Sequence, residues 1–321
     1  MTDTTRPKRY RMVSKYYKET YGEKVYKLPV ALPLTCPNRD GSAGVGGCTF
    51  CGEIGAGYEN RPAWMTVRMQ LEENIAHIGP KYKAKKFIPY YQNFSNTYLG
   101  LDDFKSYMEQ GCIEEAVGIA IATRPDCIAD EYLDILADIR DRFQKDIYIE
   151  LGLQTVNYDT LEKINRGHDL AQFIDAVLRI KRYGFNVTTH MIVNRPWDTM
   201  KDTIEGARIL SALGVDQVKL HALYIVKNTL MAKWYQEGQF TLISAEEYAD
   251  RVVNFVRHLH PDIVLQRLVG RAPEDNTLFT NWSMGWWRVQ DLIDDKLDEL
   301  DAHQGDLCDY LNGKAVRKFI D

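Results

Sequence analysis

The 321-residue chain is short of several things, and each shortage excludes something. No apolar run approaches the roughly 18 residues a bilayer span requires, so an integral helical membrane protein is excluded. No apolar stretch follows the charges of MTDTTRPKRYRMVSKYYKE, which is therefore not a secretory signal. The expected compartment is the cytoplasm, where thiols stay reduced. The six cysteines are then ligands, catalysts or buried thiols rather than a disulfide framework. A net charge of −5 argues against a protein wrapped in nucleic acid. There is no internal repeat and no low-complexity tract.

What is present suits a globular protein with a sizeable core: 45% hydrophobic residues and 11% aromatics. One large domain with appendages is as plausible as two domains at this length. Strand-like runs at 25–34, 86–94, 116–123, 147–155, 185–194 and 215–226 alternate with amphipathic helical stretches at 69–78, 101–110, 130–143, 170–184 and 199–214. AVGIAIAT, 116–123, is apolar throughout, as expected of a parallel strand covered on both faces. About six β–α repeats predict an α/β fold: a partial (β/α)6 TIM-like barrel of parallel strands, open because eight units are lacking. The expected organisation is a basic N-terminal arm (1–24), a barrel core (25–240) and a C-terminal helical extension (241–321). That extension holds a Ser244-capped helix (244–259) and a tryptophan-bearing helix (282–300). Chemistry in such folds sits at the C-terminal ends of the strands.

Charge is unevenly spread. Arg6, Lys8, Arg9, Arg11, Lys15 and Lys18 occur without an intervening acid, interleaved with Tyr10, Tyr16 and Tyr17. A second basic run is KYKAKK, 81–86, and DLIDDKLDELD, 291–301, is acidic. Basic residues mixed with aromatics can hold phosphates and stack bases. A solvated helical face is the commoner meaning of a charge run.

The most specific feature is LTCPNRDGSAGVGGCTFCGEIG, 34–55. It carries Cys36, Cys48 and Cys51 in a glycine-rich loop after the first strand, with no fourth cysteine or histidine nearby. Later strand ends are also polar: Gln92, Asn93, Asn96 and Thr97, then Thr123-Arg124-Pro125-Asp126. Glu150 and Gln154, His190 with Asn194-Arg195-Pro196, and Lys219 with His221 follow. A single cavity at the barrel rim would collect them. Three thiolates have three readings. One is a structural zinc site completed from a distance, although zinc sites usually pair two short-spaced couples. Another is a set of buried cysteines, which PNRDG and GVGG do not suit. The third is an iron–sulfur cluster with one iron left open to a non-protein ligand.

These residues resemble the radical S-adenosylmethionine enzymes, in which Cys-x-aromatic-Cys closes a three-cysteine motif; here it is Cys48-Thr49-Phe50-Cys51. The long first gap resembles the Elongator-type branch. More closely, the chain looks like a small bacterial family carrying CPNRDG-x4-GGC-x-FC. The likeness extends over QNFSNTY (92–98), ATRPDCI (122–128), ELGLQT with TLEKINRGHD (150–169), and DIVLQRL (262–268). It implies a 4Fe–4S cluster on Cys36, Cys48 and Cys51, with S-adenosylmethionine ligating the fourth iron and yielding a 5′-deoxyadenosyl radical once reduced. By the same resemblance Phe50 faces the adenine. Gln92, Asn96 and Thr97 lie near the methionine end. Arg124 takes a carboxylate or a ribose hydroxyl. Glu150 and Gln154 reach the ribose.

The chain departs from its relatives at the fifth strand, where HMIVNRPWDT puts Asn194, Arg195 and Trp197 in place of a G-x-P-G-E-type turn. Cys112, Cys127 and Cys308 are scattered and form no second cluster motif. Members of the resembling family are linked to maturation of the 5-substituent of wobble uridine, so transfer RNA is one candidate substrate, held by the basic arm. A small metabolite or a metal-cofactor precursor is the other candidate. A non-catalytic zinc- or cluster-containing RNA-binding protein is the reading from a different class. The implied electron donor is a flavodoxin or ferredoxin. No acetyl-coenzyme A module of the Elongator kind is expected, and the oligomeric state is left open.

Overall fold

The computed structural model describes residues 7–55, 59–271 and 276–320. Arg6, counted above with the basic arm, lies outside them. The N-terminal helix α1 (Val13–Tyr21) leads into β1 (Val25–Val30), followed by the one-turn α2 (Pro37–Asp40) and by α3 (Val67–Tyr82). Alternation then takes over: β2 (Lys86–Tyr91), α4 (Leu101–Gln110), β3 (Gly118–Thr123), α5 (Asp130–Phe143) and β4 (Asp146–Gln154). A short α6 (Tyr158–Lys163) precedes α7 (Leu170–Arg182), β5 (Asn186–Ile192), α8 (Met200–Leu213) and β6 (Gln217–His221). The remainder is β7 (Ile225–Val226), α9 (Leu230–Gln236), α10 (Ala245–His258), β8 (Val264–Arg267), β9 (Thr277–Phe279) and α11 (Trp286–Glu299).

The main sheet has the order β1-β2-β3-β4-β5-β6-β8, parallel throughout. It is a partial barrel of seven strands, where six were expected. The seventh is β8, four residues inside a stretch expected to be helical. It is too short to show a period, and its register with β6 (Gln217 opposite Val264) supplies what the local sequence does not. The run 215–226 was expected to be one strand. It breaks after His221, and β7 pairs antiparallel with β9 instead.

Strand alternation sorts the residues. In β4, Ile147, Ile149 and Leu151 join the core under the helices. Tyr148, Glu150 and Gly152 occupy the other, concave face. Helices present buried apolar residues three or four apart, as α5 does with Leu133, Leu136 and Ile139. Capping boxes open three of them: Asp169/Gln172, Thr199/Asp202 and Ser244/Glu247.

The basic arm turns out to close the barrel. α1 packs on both β1 and β8, the two edge strands, and Met12 bridges to Leu265. Tyr17 is buried edge-on against Tyr148 at 6.2 Å, and the Tyr21 hydroxyl meets Asp146 and Tyr148 at 2.5 Å each. Part of its charge is neutralised at home: Lys8 pairs with Asp294, Arg9 with Asp298 and, at 2.8 Å, Asp301. Arg11 donates to the Asp262 carbonyl at 2.7 Å. The acidic run 291–301 is thus the counter-charge of Lys8 and Arg9. Trp286 and Trp287 of α11 remain about 40% exposed (39% and 43%), whereas Trp282 packs against the core and donates to the Ile243 carbonyl.

Candidate functional site

A cavity of about 550 Å³ opens at the C-terminal ends of the strands and reaches down the concave face of the sheet. Cys36, Cys48 and Cys51 all line it. Cys36 is the residue before α2, with Pro37 at the first helical position. The loop then folds around Asn38, which is buried and donates to the Asn165 carbonyl at 2.6 Å and to Cys48 Sγ at 3.5 Å. Two glycines make this close approach feasible. A Cβ on Gly44 would lie 2.1 Å from Asn38 Oδ1, and one on Gly167, whose φ is +71°, would lie 2.5 Å from it. The KINRGHD loop grips the cysteine loop from the other side. Thr49 N donates to the Ile164 carbonyl at 3.0 Å, and Asn165 Nδ2 to the Gly47 carbonyl at 2.8 Å.

The sulfurs are surrounded by N–H donors. Arg166 Nη1 lies 3.5 Å from Cys48 Sγ and Arg39 Nη2 3.3 Å from Cys51 Sγ. Burial, and then the neighbouring Cys48, raise the Cys51 thiol above its ordinary pKa, with Arg39 opposing. A bound cation is what makes such a group of thiolates tolerable. Among the described residues no three His, Cys, Asp or Glu side chains converge on a single ion. A four-iron cube takes one thiolate per iron, so its ligands stand around a cavity. Soft thiolates with N–H donors on their sulfurs fit such a cluster.

The other expected site residues divide. Phe50, Gln92, Arg124, Glu150 and Gln154 line the same cavity. Asn96 and Thr97 do not. Asn96 is fully buried, its Nδ2 donating to the carbonyls of Tyr91, Asn93 and Ala122. Thr97 bonds to Thr123 Oγ1 and the Cys127 carbonyl. Both brace the loop after β2 from behind. Arg124 lines the cavity, but its guanidinium is spent: Nε and Nη2 grip Asp126 and Nη1 donates to the Arg166 carbonyl at 2.8 Å. It therefore positions the loop that carries Arg166. Gln154 sits at φ +80°, where the β4–β5 register shifts; a non-glycine residue in that region is strained, as is common at functional sites.

Glu150 is the hub of the cavity's far wall. Lys27 meets its Oε1, and its Oε2 accepts from His190 Nε2 at 2.7 Å and Lys219 Nζ at 3.4 Å. Burial pushes its pKa up, but Lys219, Lys27 and His190 outweigh that and hold it well below the carboxylate range. Burial pulls His190 down to about 4 and Lys219 down to about 7, against the attraction of Glu150. Arg267 Nη2 donates to His221 Nδ1 at 2.8 Å, and His221 Nε2 lies 3.3 Å from His190 Nδ1. A guanidinium only donates, so the run Arg267, His221, His190, Glu150 has one direction, with both imidazoles neutral and protonated at Nε2. Tyr90 adds its hydroxyl, 3.3 Å from Lys219.

Sequence reasoning missed Asn38, Arg39 and Arg166 as sulfur partners, although all three stand in the quoted motifs. It also missed Lys27 and Tyr90, which read as ordinary strand residues, and Arg267, which fell in the stretch expected to be helical. Cys112, Cys127 and Cys308 do not line the cavity, and burial raises the thiols of Cys112 and Cys127 to about 11 each. Among the described residues no helix is long and apolar enough to cross a membrane.

Residues 37–222 match the Radical SAM superfamily and residues 215–299 the Radical_SAM C-terminal domain. The uncharacterised protein YtqA of Bacillus subtilis is 33% identical over 312 residues, covering 96% of each chain. A tRNA uridine(34) acetyltransferase of Dehalococcoides mccartyi is 25% identical over 39% of this chain and 27% of its own. Among solved structures, the archaeal Elp3 of Methanocaldococcus infernus, truncated at its N-terminus, superposes with a TM-score of 0.66 at 13% identity. That match covers 87% of this chain and 64% of the Elp3 chain.

Proposed function

Because the chain belongs to the radical SAM superfamily, we propose that it cleaves S-adenosylmethionine reductively and turns the radical on a C–H bond of a substrate held against the Glu150 wall. Its cofactors are S-adenosylmethionine and a 4Fe–4S cluster, the latter held by Cys36, Cys48 and Cys51. The observation that carries this reading is one cavity with three thiols at its mouth and a hydrogen-bonded polar wall at its depth. When bound, the cluster supplies the electron that splits S-adenosylmethionine into methionine and a 5′-deoxyadenosyl radical. The chain's own residues do the placing. Phe50, between the two cysteines, offers a ring for the adenine. Gln92 and Gln154 border the middle of the cavity and face the methionine and ribose. Glu150, fixed by three cationic or N–H partners, holds the far wall rigid and orients Lys219, whose Nζ can carry or release a proton near neutrality.

For the substrate, we propose a nucleoside of transfer RNA. The partial likeness to a tRNA uridine(34) acetyltransferase supports it. A specific observation favours a second reading, a small metabolite: Lys8 and Arg9, the arm cations best suited to phosphates, are paired with acids. The test is 5′-deoxyadenosine formed anaerobically, with and without bulk transfer RNA. Formation that rises with RNA supports the first reading. Formation indifferent to RNA supports the second, and none at all contradicts both.

A further inference from the structure

Arg195, in the turn that departs from the chain's relatives, is fully buried, and none of its three guanidinium nitrogens has a hydrogen-bond partner. An unpaired buried cation is costly, and such a group in a native protein needs an explanation. It does not line the cavity. Its guanidinium lies 4.8 Å from the centroid of the Phe50 ring, on the segment that joins Cys48 to Cys51. Burial lowers its pKa to about 10, with Asp198 and the Cys48 sulfur opposing, so it stays charged at neutral pH. Asp198 is buried too and makes no ion pair with it; one of its own oxygens is unpartnered. Arg166 differs. It touches Cys48 Sγ directly, but its remaining nitrogens are held by the Gly152 carbonyl.

We infer that Arg195 is a positioning residue for charge: a buried cation that raises the reduction potential of the cluster from the Cys48 side, acting through space. This rests on the cluster reading above. The redox event is one electron passing from a low-potential one-electron donor, dithionite in the test, onto the oxidised cluster; no bond forms or breaks and no proton moves. The added negative charge spreads over iron and thiolate sulfur, where a nearby cation in a dry setting stabilises it. Reduction then supplies the partner that Arg195 lacks in the bare chain, and the turn's departure from a glycine-rich pattern is the means of placing it.

The test is an anaerobic potential titration of the reconstituted protein, followed by electron paramagnetic resonance, for the parent, R195M, R195K and R251M. Arg251 serves as control because it holds the same turn through the Val193 and Asp198 carbonyls. In R195M the reduced-to-oxidised ratio at fixed potential should fall about tenfold, which is about 59 mV for one electron. R195K and R251M should stay within about twofold of the parent. The denaturation midpoint of metal-free R195M should equal or exceed the parent's, a result a merely structural arginine would not give. If R195M fails to load, R195Q takes its place. An R195M potential within twofold of the parent, or an equal shift in R195K or R251M, overturns the inference. A parent chain that binds no iron overturns the cluster reading itself, which is a separate outcome.

Discussion

The cations at the two ends of the barrel meet opposite fates. In the N-terminal arm, Lys8 and Arg9 find aspartates of the C-terminal helix and its end, and Arg11 a backbone carbonyl, so these three cations are spent on closing the barrel. At the rim, Arg39 and Arg166 point at thiols, Arg267 at a neutral imidazole, and Arg195 at the Phe50 ring with no hydrogen-bond partner. A run of positive charge in a sequence therefore says little until its partners are known. The absence of partners in a buried place is the stronger sign of a site.

The comparison can be broken most severely at the rim. Cys51→Ala should abolish cluster loading and 5′-deoxyadenosine formation altogether, read as iron per chain and product per chain after reconstitution. Next is the far wall. Glu150→Gln leaves Lys27 and Lys219 buried without their anion, which costs on the order of 3–5 kcal/mol by the usual penalty for breaking a buried pair; urea denaturation measures it.

The same wall sets a pH dependence. His190 has a folded pKa of about 4, below its unfolded value of about 6.5. Between those values the unfolded chain binds the proton and the folded chain does not. Stability should therefore fall as pH drops from about 6.5 to about 4, by up to roughly 3 kcal/mol from this group. Denaturation midpoints across that window should show the loss, and H190Q should flatten it. The arm gives the smallest effect. Lys8→Ala with Arg9→Ala should lower the urea midpoint only slightly, since Arg9 and its partners are partly exposed. It should leave any stimulation by transfer RNA unchanged. A loss of that stimulation at unchanged stability would put the arm back among the RNA-binding elements.

Much of the fold was legible. Helices such as 130–143 carried an unambiguous apolar period, and the strands between them followed from their apolar runs. β8 was not legible, because four residues show no period and its place depends on pairing with β6. The break after His221 was equally hidden, since Ala222 and Leu223 continue the apolar pattern although they leave the strand. In the site, the three cysteines stood out because their spacing around glycines has no use in a core. Asn96 and Thr97 were expected near the methionine end by resemblance; the structure shows both bonded to carbonyls around the loop after β2, a use that a polar residue at a strand end shares with ligand binding and that composition does not separate. Lys27 and Tyr90 were invisible for the converse reason: a polar residue inside a strand becomes functional only when neighbouring strands bring its partners opposite, as Glu150 and Lys219 do here; Arg267 was hidden with the strand β8 that carries it.

The account stands on the claim that the Cys36–Cys48–Cys51 loop carries a cluster with one iron open to S-adenosylmethionine. The most direct measurement is electron paramagnetic resonance of the anaerobically reconstituted, dithionite-reduced protein before and after S-adenosylmethionine is added. The account predicts about four iron and four sulfide per chain and a reduced-cluster signal whose shape changes on addition. Zinc in place of iron, or a cluster signal indifferent to S-adenosylmethionine, would contradict it.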